Sequence, residues 1–277
     1  MSTNENKGKK AEVTALQAIS AEDRKDWISL AFVQAGICVC VTAFLLGALL
    51  AEAMPIWPAI ISGSLGYLIV VVGMVATGMI GCDLGLASCT CCQAGFGKSG
   101  ARFIVSTIFA VNMIGWFGIQ NGVCGEAFSN AMLAMTGWDI PVVVSNTIWG
   151  IIMLLTAVYG VHALEKLDKI SIPLLMVIMC YGTFLAFKIY GTGNLNDEGT
   201  VQSMSFMSGV ALSFNFTAVG TITGPDYTRF QKSRKDTVKS VFYGVFPMGV
   251  ITLVMGIVLT KLSGQYDISM VLIEVGL

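Results

Sequence analysis

Apolar runs of about twenty residues or more alternate along this chain with short polar connections. The pattern predicts seven membrane-spanning helices, at residues 28–51, 56–81, 103–128, 141–163, 170–190, 203–224 and 238–261. Crossing the hydrocarbon layer takes roughly 20 apolar residues in a helix, because every backbone N–H and C=O must find its partner within the segment. The expected fold class is therefore an all-α polytopic membrane protein. Residues 1–26 are polar and lysine-rich. They lack the short apolar core and small-residue cleavage site of a secretory signal, and are expected to form a tail outside the bilayer.

Charge turns the pattern into a topology. Only 12% of the 277 residues are charged, about half the roughly 25% of soluble domains. The net charge of −1 leaves no basic footprint for nucleic acid. Basic residues are placed unevenly. The tail holds Lys7, Lys9, Lys10, Arg24 and Lys25, and the second connection Lys98 and Arg102. The fourth holds Lys166 and Lys169, and the sixth Arg229, Lys232, Arg234, Lys235 and Lys239. Those are 14 of the 16 Lys and Arg residues, leaving Lys188 and Lys261 for the other side. Excess Lys and Arg marks the cytoplasmic face. The N-terminus is thus expected inside the plasma (cytoplasmic) membrane and Leu277 outside. Trp57 and Trp138, in short loops on the opposite side, read with Trp27 as interfacial anchors.

Two polar places inside the spans carry candidate chemistry. Trp116 and Gln120 are four residues apart, so a helix puts them on one face, about one turn from each other. An indole beside a carboxamide at membrane depth can stack on a flat polar molecule and hydrogen-bond to its edge. Packing or anchoring is the commoner use of tryptophan in a span. Here Gly115, Gly118 and the amides of Asn112 and Asn121 favour a face turned to the bundle interior, since amides are unfavourable in lipid. The second place is the sixth span, where Ser213, Asn215, Thr217, Gly220, Thr221 and Thr223 precede Gly224-Pro225. Such residues weaken a helix and predict a break within 214–220, of the kind transporters use to coordinate substrates and ions. Close packing through small residues is the alternative. The first span is small and partly β-branched from Gly36 to Ala43, but its residues show no break.

Other features carry less. Asp226 and Arg229 are spaced to pair at the inner rim. Cys89, Cys91 and Cys92 cluster without the paired CxxC spacing or nearby histidine of a zinc site. The single histidine, His162, lies at the end of a span. No resident cofactor is expected.

Four segments together resemble the nucleobase–cation symporter-1 family, most closely its cytosine-permease branch. They are Ile114-Gly115-Trp116-Phe117-Gly118, Gly220-Thr221-Ile222-Thr223, Asp226-Tyr227-Thr228-Arg229-Phe230 and Gly95-Phe96-Gly97. The resemblance runs from about Trp27 to Leu277. It implies two inverted five-helix repeats with broken first and sixth helices, residues 27–190 forming the first repeat and 191–277 the start of the second. It implies cation-coupled import of a nucleobase or related flat heterocycle, cytosine foremost. The substrate would lie between Trp116 and Phe216. Gln120 matches a glutamine of hydantoin-type members, and Asn215 falls at the sixth-helix backbone contact. Carbonyls around Cys40 and Ala43 would help hold sodium, which is favoured over a proton because the spans lack a titratable relay. The expected partners are the small-molecule substrate and membrane lipid, with no nucleic acid and no obligate protein partner.

Three departures qualify this. Met113 stands where cytosine-type members carry glutamine, which brings in allantoin, hydantoins or hydroxymethylpyrimidine as alternative substrates. Residues 87–93 replace a more apolar, arginine-containing segment. The family has about twelve spans and seven are present here, so the chain is expected to be C-terminally partial, without the eighth-helix wall of the site. An inactive transporter fragment is thus a further alternative. A seven-span receptor is disfavoured by the inside N-terminus, and a retinal protein by Lys261 lying at the end of its span. An enzyme would need a catalytic pair within the membrane, and none is visible.

Overall fold

A computed structural model describes residues 16–158, 161–192, 195 and 203–276, without the side chains of residues 161–166 and 168. Lys7, Lys9, Lys10 and Leu277, and the side chains of His162 and Lys166, therefore lie outside the described residues. The described helices are α1 (Trp27–Cys38), α2 (Val41–Ala53), α3 (Ile56–Leu84), α4 (Ser88–Cys91), α5 (Gln93–Gly100) and α6 (Ser106–Thr136). They continue as α7 (Val142–Val158), α8 (Val161–Tyr190), α9 (Phe206–Thr217), α10 (Val219–Thr228), α11 (Arg234–Ser263) and α12 (Ile268–Glu274).

Five stretches are long and apolar enough to cross a membrane: Ile56–Leu84, Gln93–Thr136, Lys169–Tyr190, Phe206–Thr228 and Arg234–Ser263. α1 and α2 together make a bent sixth, and α7 is a shorter apolar helix. The seven expected spans are all accounted for, and the fold is an all-α membrane bundle.

The first span is the broken one. α1 and α2 meet at 52° across Val39 (φ −95°, ψ 73°) and Cys40, which is fully extended (φ −143°, ψ 157°). Val39 lies in the break, and its β-branched side chain lowers helix propensity there. Only the family resemblance anticipated this bend.

The sixth span is interrupted within the expected window but is not bent. Its hydrogen-bond ladder lapses at Ala218, whose φ of −55° and ψ of −30° remain helical, and α9 and α10 run on as one crossing. Nor does Gly224-Pro225 stop the helix. A proline within a helix leaves the carbonyl four residues back without its donor. For Pro225 that carbonyl is Thr221, and Thr77 Oγ1 on α3 donates to it at 2.6 Å. Ser213 Oγ donates to the Gly63 carbonyl and Thr228 Oγ1 to that of Gly78, both at 2.7 Å. These hydroxyls fasten α9 and α10 to α3. Thr77→Val should leave the Thr221 carbonyl unpaired and destabilise the bundle by about 1–3 kcal/mol. Thermal unfolding in detergent beside Thr77→Ser, which keeps the hydroxyl, measures this.

Two connections are also more helical than expected. Residues 164–169 are not a loop but the first turns of α8, because the run Ala163-Leu164-Glu165-Lys166 is made of strong helix formers. The second connection folds as α4 and α5, then enters α6 through a π-helical turn, Ala101–Val105.

α11 is the hub, packed against α1, α2, α3 and α8, while α9 and α10 lie along α3. Leu46, Leu50, Tyr67, Met74, Leu253 and Ile257 fill the main core. α2 crosses α11 at Gly47 and Gly256, where a Cβ on either residue would run into the backbone of the other helix. The residues that precede α1 are tied to the α10–α11 connection. Lys25 N–H donates to the Phe230 carbonyl at 2.7 Å, and Arg24 Nη1 donates to the Cys82 and Gln231 carbonyls at 3.0 and 2.9 Å. Exposed ion pairs Lys232–Asp26 and Arg234–Asp83 close the same end.

Candidate functional site

A cavity of about 250 Å³ opens beside the break between α1 and α2. The break supplies Cys38, Cys40, Thr42 and Ala43, and α3 supplies Tyr67, Val70 and Met74. From α6 come Met113, Trp116 and Gln120. Phe216 and Thr217 of α9 and Gly220, Thr223 and Tyr227 of α10 complete most of the wall.

The helix geometry of α6 selects its two site residues. From Val111 to Gln120, Trp116 and Gln120 alone are partly covered, and the residues between and before them are exposed. The indole meets the Phe216 ring edge to face, with centroids 5.2 Å apart and planes at 88°. That is a favoured aromatic contact, but it is not the sandwich that the resemblance implies. A ring held between two parallel rings needs roughly 7–8 Å between them, two van der Waals contacts. A flat ligand fits between this pair only when Phe216 swings aside.

Gln120 is held in place. Thr42 Oγ1, on a residue only 1% exposed, donates to Gln120 Oε1 at 3.1 Å. The same hydroxyl lies 3.2 Å from Cys40 Sγ. With its oxygen engaged, the carboxamide has its two N–H groups to offer a ligand.

The remaining expected residues divide. Cys40 and Ala43 both line the cavity, and the Cys40 carbonyl accepts the Ala43 N–H at 3.0 Å, leaving one lone pair. Asn215 does not line the cavity; its side chain is exposed on α9. Asn112 is exposed as well, and Asn121 lies against Gly150 of α7. Thr42 and Tyr67 were missed from the sequence, whereas Thr217 was named with the polar residues of the sixth span. Thr223 was named there as well, and Tyr227 lay within a quoted motif without being singled out.

Asp226 and Arg229 do not pair. Asp226 Oδ1 instead accepts the Ser88 N–H at 3.0 Å, at the start of α4, where the first N–H groups of any helix lack partners. Arg229 is buried with its guanidinium over the Phe230 ring, 4.8 Å from the centroid, and its Nε and Nη1 make no hydrogen bond. All eight cysteines are free thiols, and partial burial pushes those of Cys89 and Cys91 up. Among the described residues no group of three His, Cys, Asp or Glu side chains is placed to hold a metal.

A helical membrane bundle with a bent span and a cavity at the bend has the architecture of a secondary transporter. The chain belongs to the family described as "Permease for cytosine/purines, uracil, thiamine, allantoin", which matches residues 19–275. It is 27% identical over 258 residues to the cytosine permease of Escherichia coli K12, covering 92% of this chain and 59% of that protein. It is 26% identical over 247 residues to the Arabidopsis thaliana purine-uracil permease NCS1, covering 79% of this chain and 41% of that one. Among solved structures it resembles Mhp1, a nucleobase-cation-symport-1 family transporter, in a closed conformation with bromovinylhydantoin bound. The TM-score is 0.83 at 18% identity, over 95% of this chain and 61% of Mhp1. The inward-facing conformation of Mhp1 gives 0.77 at 16% identity. The chain thus spans about three-fifths of the length of the Escherichia coli permease and of Mhp1, and about two-fifths of the Arabidopsis protein, and it shares the fold of Mhp1 over that part.

Proposed function

We propose that the protein takes part in cation-coupled import of a nucleobase-type heterocycle, with cytosine the first candidate. The observation that carries this reading is the pairing of Trp116 with Gln120 on the cavity wall, beside the bent first span. An indole face suits any planar ring. The Gln120 N–H groups match the acceptor edge of a pyrimidine, whose carbonyl oxygen and neighbouring ring nitrogen lie side by side. The kinship with cytosine permease supports cytosine itself. Met113, and the hydantoin ligand bound to Mhp1, favour a hydantoin or allantoin as the second reading.

Sodium is the proposed coupling ion, with main-chain oxygens at Cys40 and Ala43 contributing to its site. Residues 27–190 would form the first repeat and residues 191–277 the start of the second. The N-terminal segment would face the cytoplasm. This orientation rests on the basic residues Arg24, Lys25, Lys232 and Arg234, which gather at one end of the bundle.

Equilibrium binding to the purified chain in lipid nanodiscs tests the proposal, with labelled cytosine competed by uracil, allantoin, a hydantoin and hydroxymethylpyrimidine. Saturable binding that one of these displaces is expected. Gln120→Leu should weaken it about 5- to 150-fold, since an unpaired buried acceptor is unfavourable by about 1–3 kcal/mol. Absence of saturable binding to every compound would overturn the proposal.

A further inference from the structure

We propose that Thr42 is the positioning residue through which the bend of the first span sets the orientation of the Gln120 carboxamide, and so links cation binding to substrate selection. The inference rests on the transport reading above. Thr42 is the second residue of α2, directly after the extended Cys40. Its hydroxyl has one proton to donate, and that proton goes to Gln120 Oε1 across 3.1 Å. Its oxygen lies within 3.2 Å of Cys40 Sγ. A continuous polar contact therefore runs from Cys40 at the bend, which lines the cavity, through the Thr42 hydroxyl to the amide on α6. Few other described contacts join α2 to α6, so this hydrogen bond is a principal route between the two.

The consequence is chemical. A carboxamide is nearly symmetric in shape but opposite in polarity at its two ends. With Oε1 held by Thr42, the amide offers donors to the cavity and selects ligands by their acceptor edge. Released from Thr42, it can turn over and offer its oxygen instead. A cation drawing the Cys40 carbonyl toward itself would shift the start of α2, and with it the Thr42 hydroxyl. Sodium would then strengthen the donor-out arrangement and raise affinity for acceptor-edged heterocycles.

The test uses Thr42→Val, which keeps the side-chain shape and removes the donor, and Thr42→Ser, which restores it. Labelled cytosine binding is measured in sodium and in choline, with competition by ligands rich in donor groups. In parallel, the rate of methanethiosulfonate labelling of Cys40, with the other cysteines replaced, reports each ligand separately. Thr42→Val should reduce the sodium enhancement of cytosine affinity at least about fivefold and flatten the selectivity order, roughly the effect of one hydrogen bond. Each ligand alone should still slow Cys40 labelling. Thr42→Ser should retain the wild-type behaviour. Undiminished sodium enhancement and selectivity in Thr42→Val would overturn the link while leaving the transport reading intact. Failure of every heterocycle to bind or to protect Cys40 in the wild type would overturn that reading, and the link with it.

Discussion

Trp116→Ala should abolish measurable heterocycle binding, while Trp116→Phe should retain it within a few-fold. The indole is the largest flat surface on the cavity wall, and Phe216 meets it in a T-shaped contact. Truncation removes the stacking face and frees Phe216 to collapse into the space. Alanine substitution of one base-stacking aromatic is unfavourable by about 1–3 kcal/mol, or about 5- to 150-fold in affinity. Collapse of Phe216 adds to that. Of the five tryptophans, Trp116 alone lines the cavity. Quenching of intrinsic fluorescence by cytosine should therefore disappear in Trp116→Phe even where radioligand binding persists. Wild-type affinity in Trp116→Ala would rule out stacking as the mode of recognition.

Gly256→Leu should prevent accumulation of folded protein. A Cβ at Gly256 would overlap the Phe44 carbonyl and stand 2.9 Å from its carbon and 3.0 Å from Phe44 Cα. Facing it, a Cβ at Gly47 would overlap the Leu253 carbonyl and stand 3.1 Å from Gly256 Cα. Both obstacles are backbone, so no rotamer change relieves them, and the whole of α2 must move off α11. Overpacking that side chains can absorb already destabilises by about 1–3 kcal/mol, and here the displaced helix also carries Thr42 and Ala43 of the cavity wall. Gly122→Leu on α6 is the control, since a Cβ there meets nothing within 4 Å. Monodisperse yield in detergent separates the two. Equal yields would mean that the α2–α11 crossing tolerates separation.

These residues differ in how far the chain announced them. Trp116 and Gln120 were legible because the four-residue spacing and the lack of charge between Arg102 and Glu126 are one-dimensional facts. Gly47 and Gly256 were not, although small residues four apart, such as Gly47 and Ala51, are a known sign of close helix approach. The sixth span shows how far composition reaches. Its Ser, Thr, Gly and Pro residues anticipate the interruption at Ala218, yet the span stays straight enough to cross as one, and Ser213, Thr228 and the Thr221 carbonyl find partners on α3. A polar group in a span has to be satisfied, and whether a neighbouring helix or a ligand does so is not written in the span itself.

The sequence by itself determined the number and rough limits of the apolar crossings, the gathering of positive charge at one end, and the helix face that carries Trp116 and Gln120. Each depends on local periodicity, on total apolar length or on the charge of short connections, and these are readable in one dimension. Only the tertiary structure decided that the bend falls at Val39 and Cys40, that α9 and α10 stay nearly continuous, that Asn215 is exposed outside the cavity lining, and that Thr42 holds Gln120. The hold on Gln120 and the course of α9 and α10 rest on partners 78 to 150 residues away, as in Thr42–Gln120 and Ser213–Gly63. A buried polar group takes whichever partner the packing brings within about 3 Å.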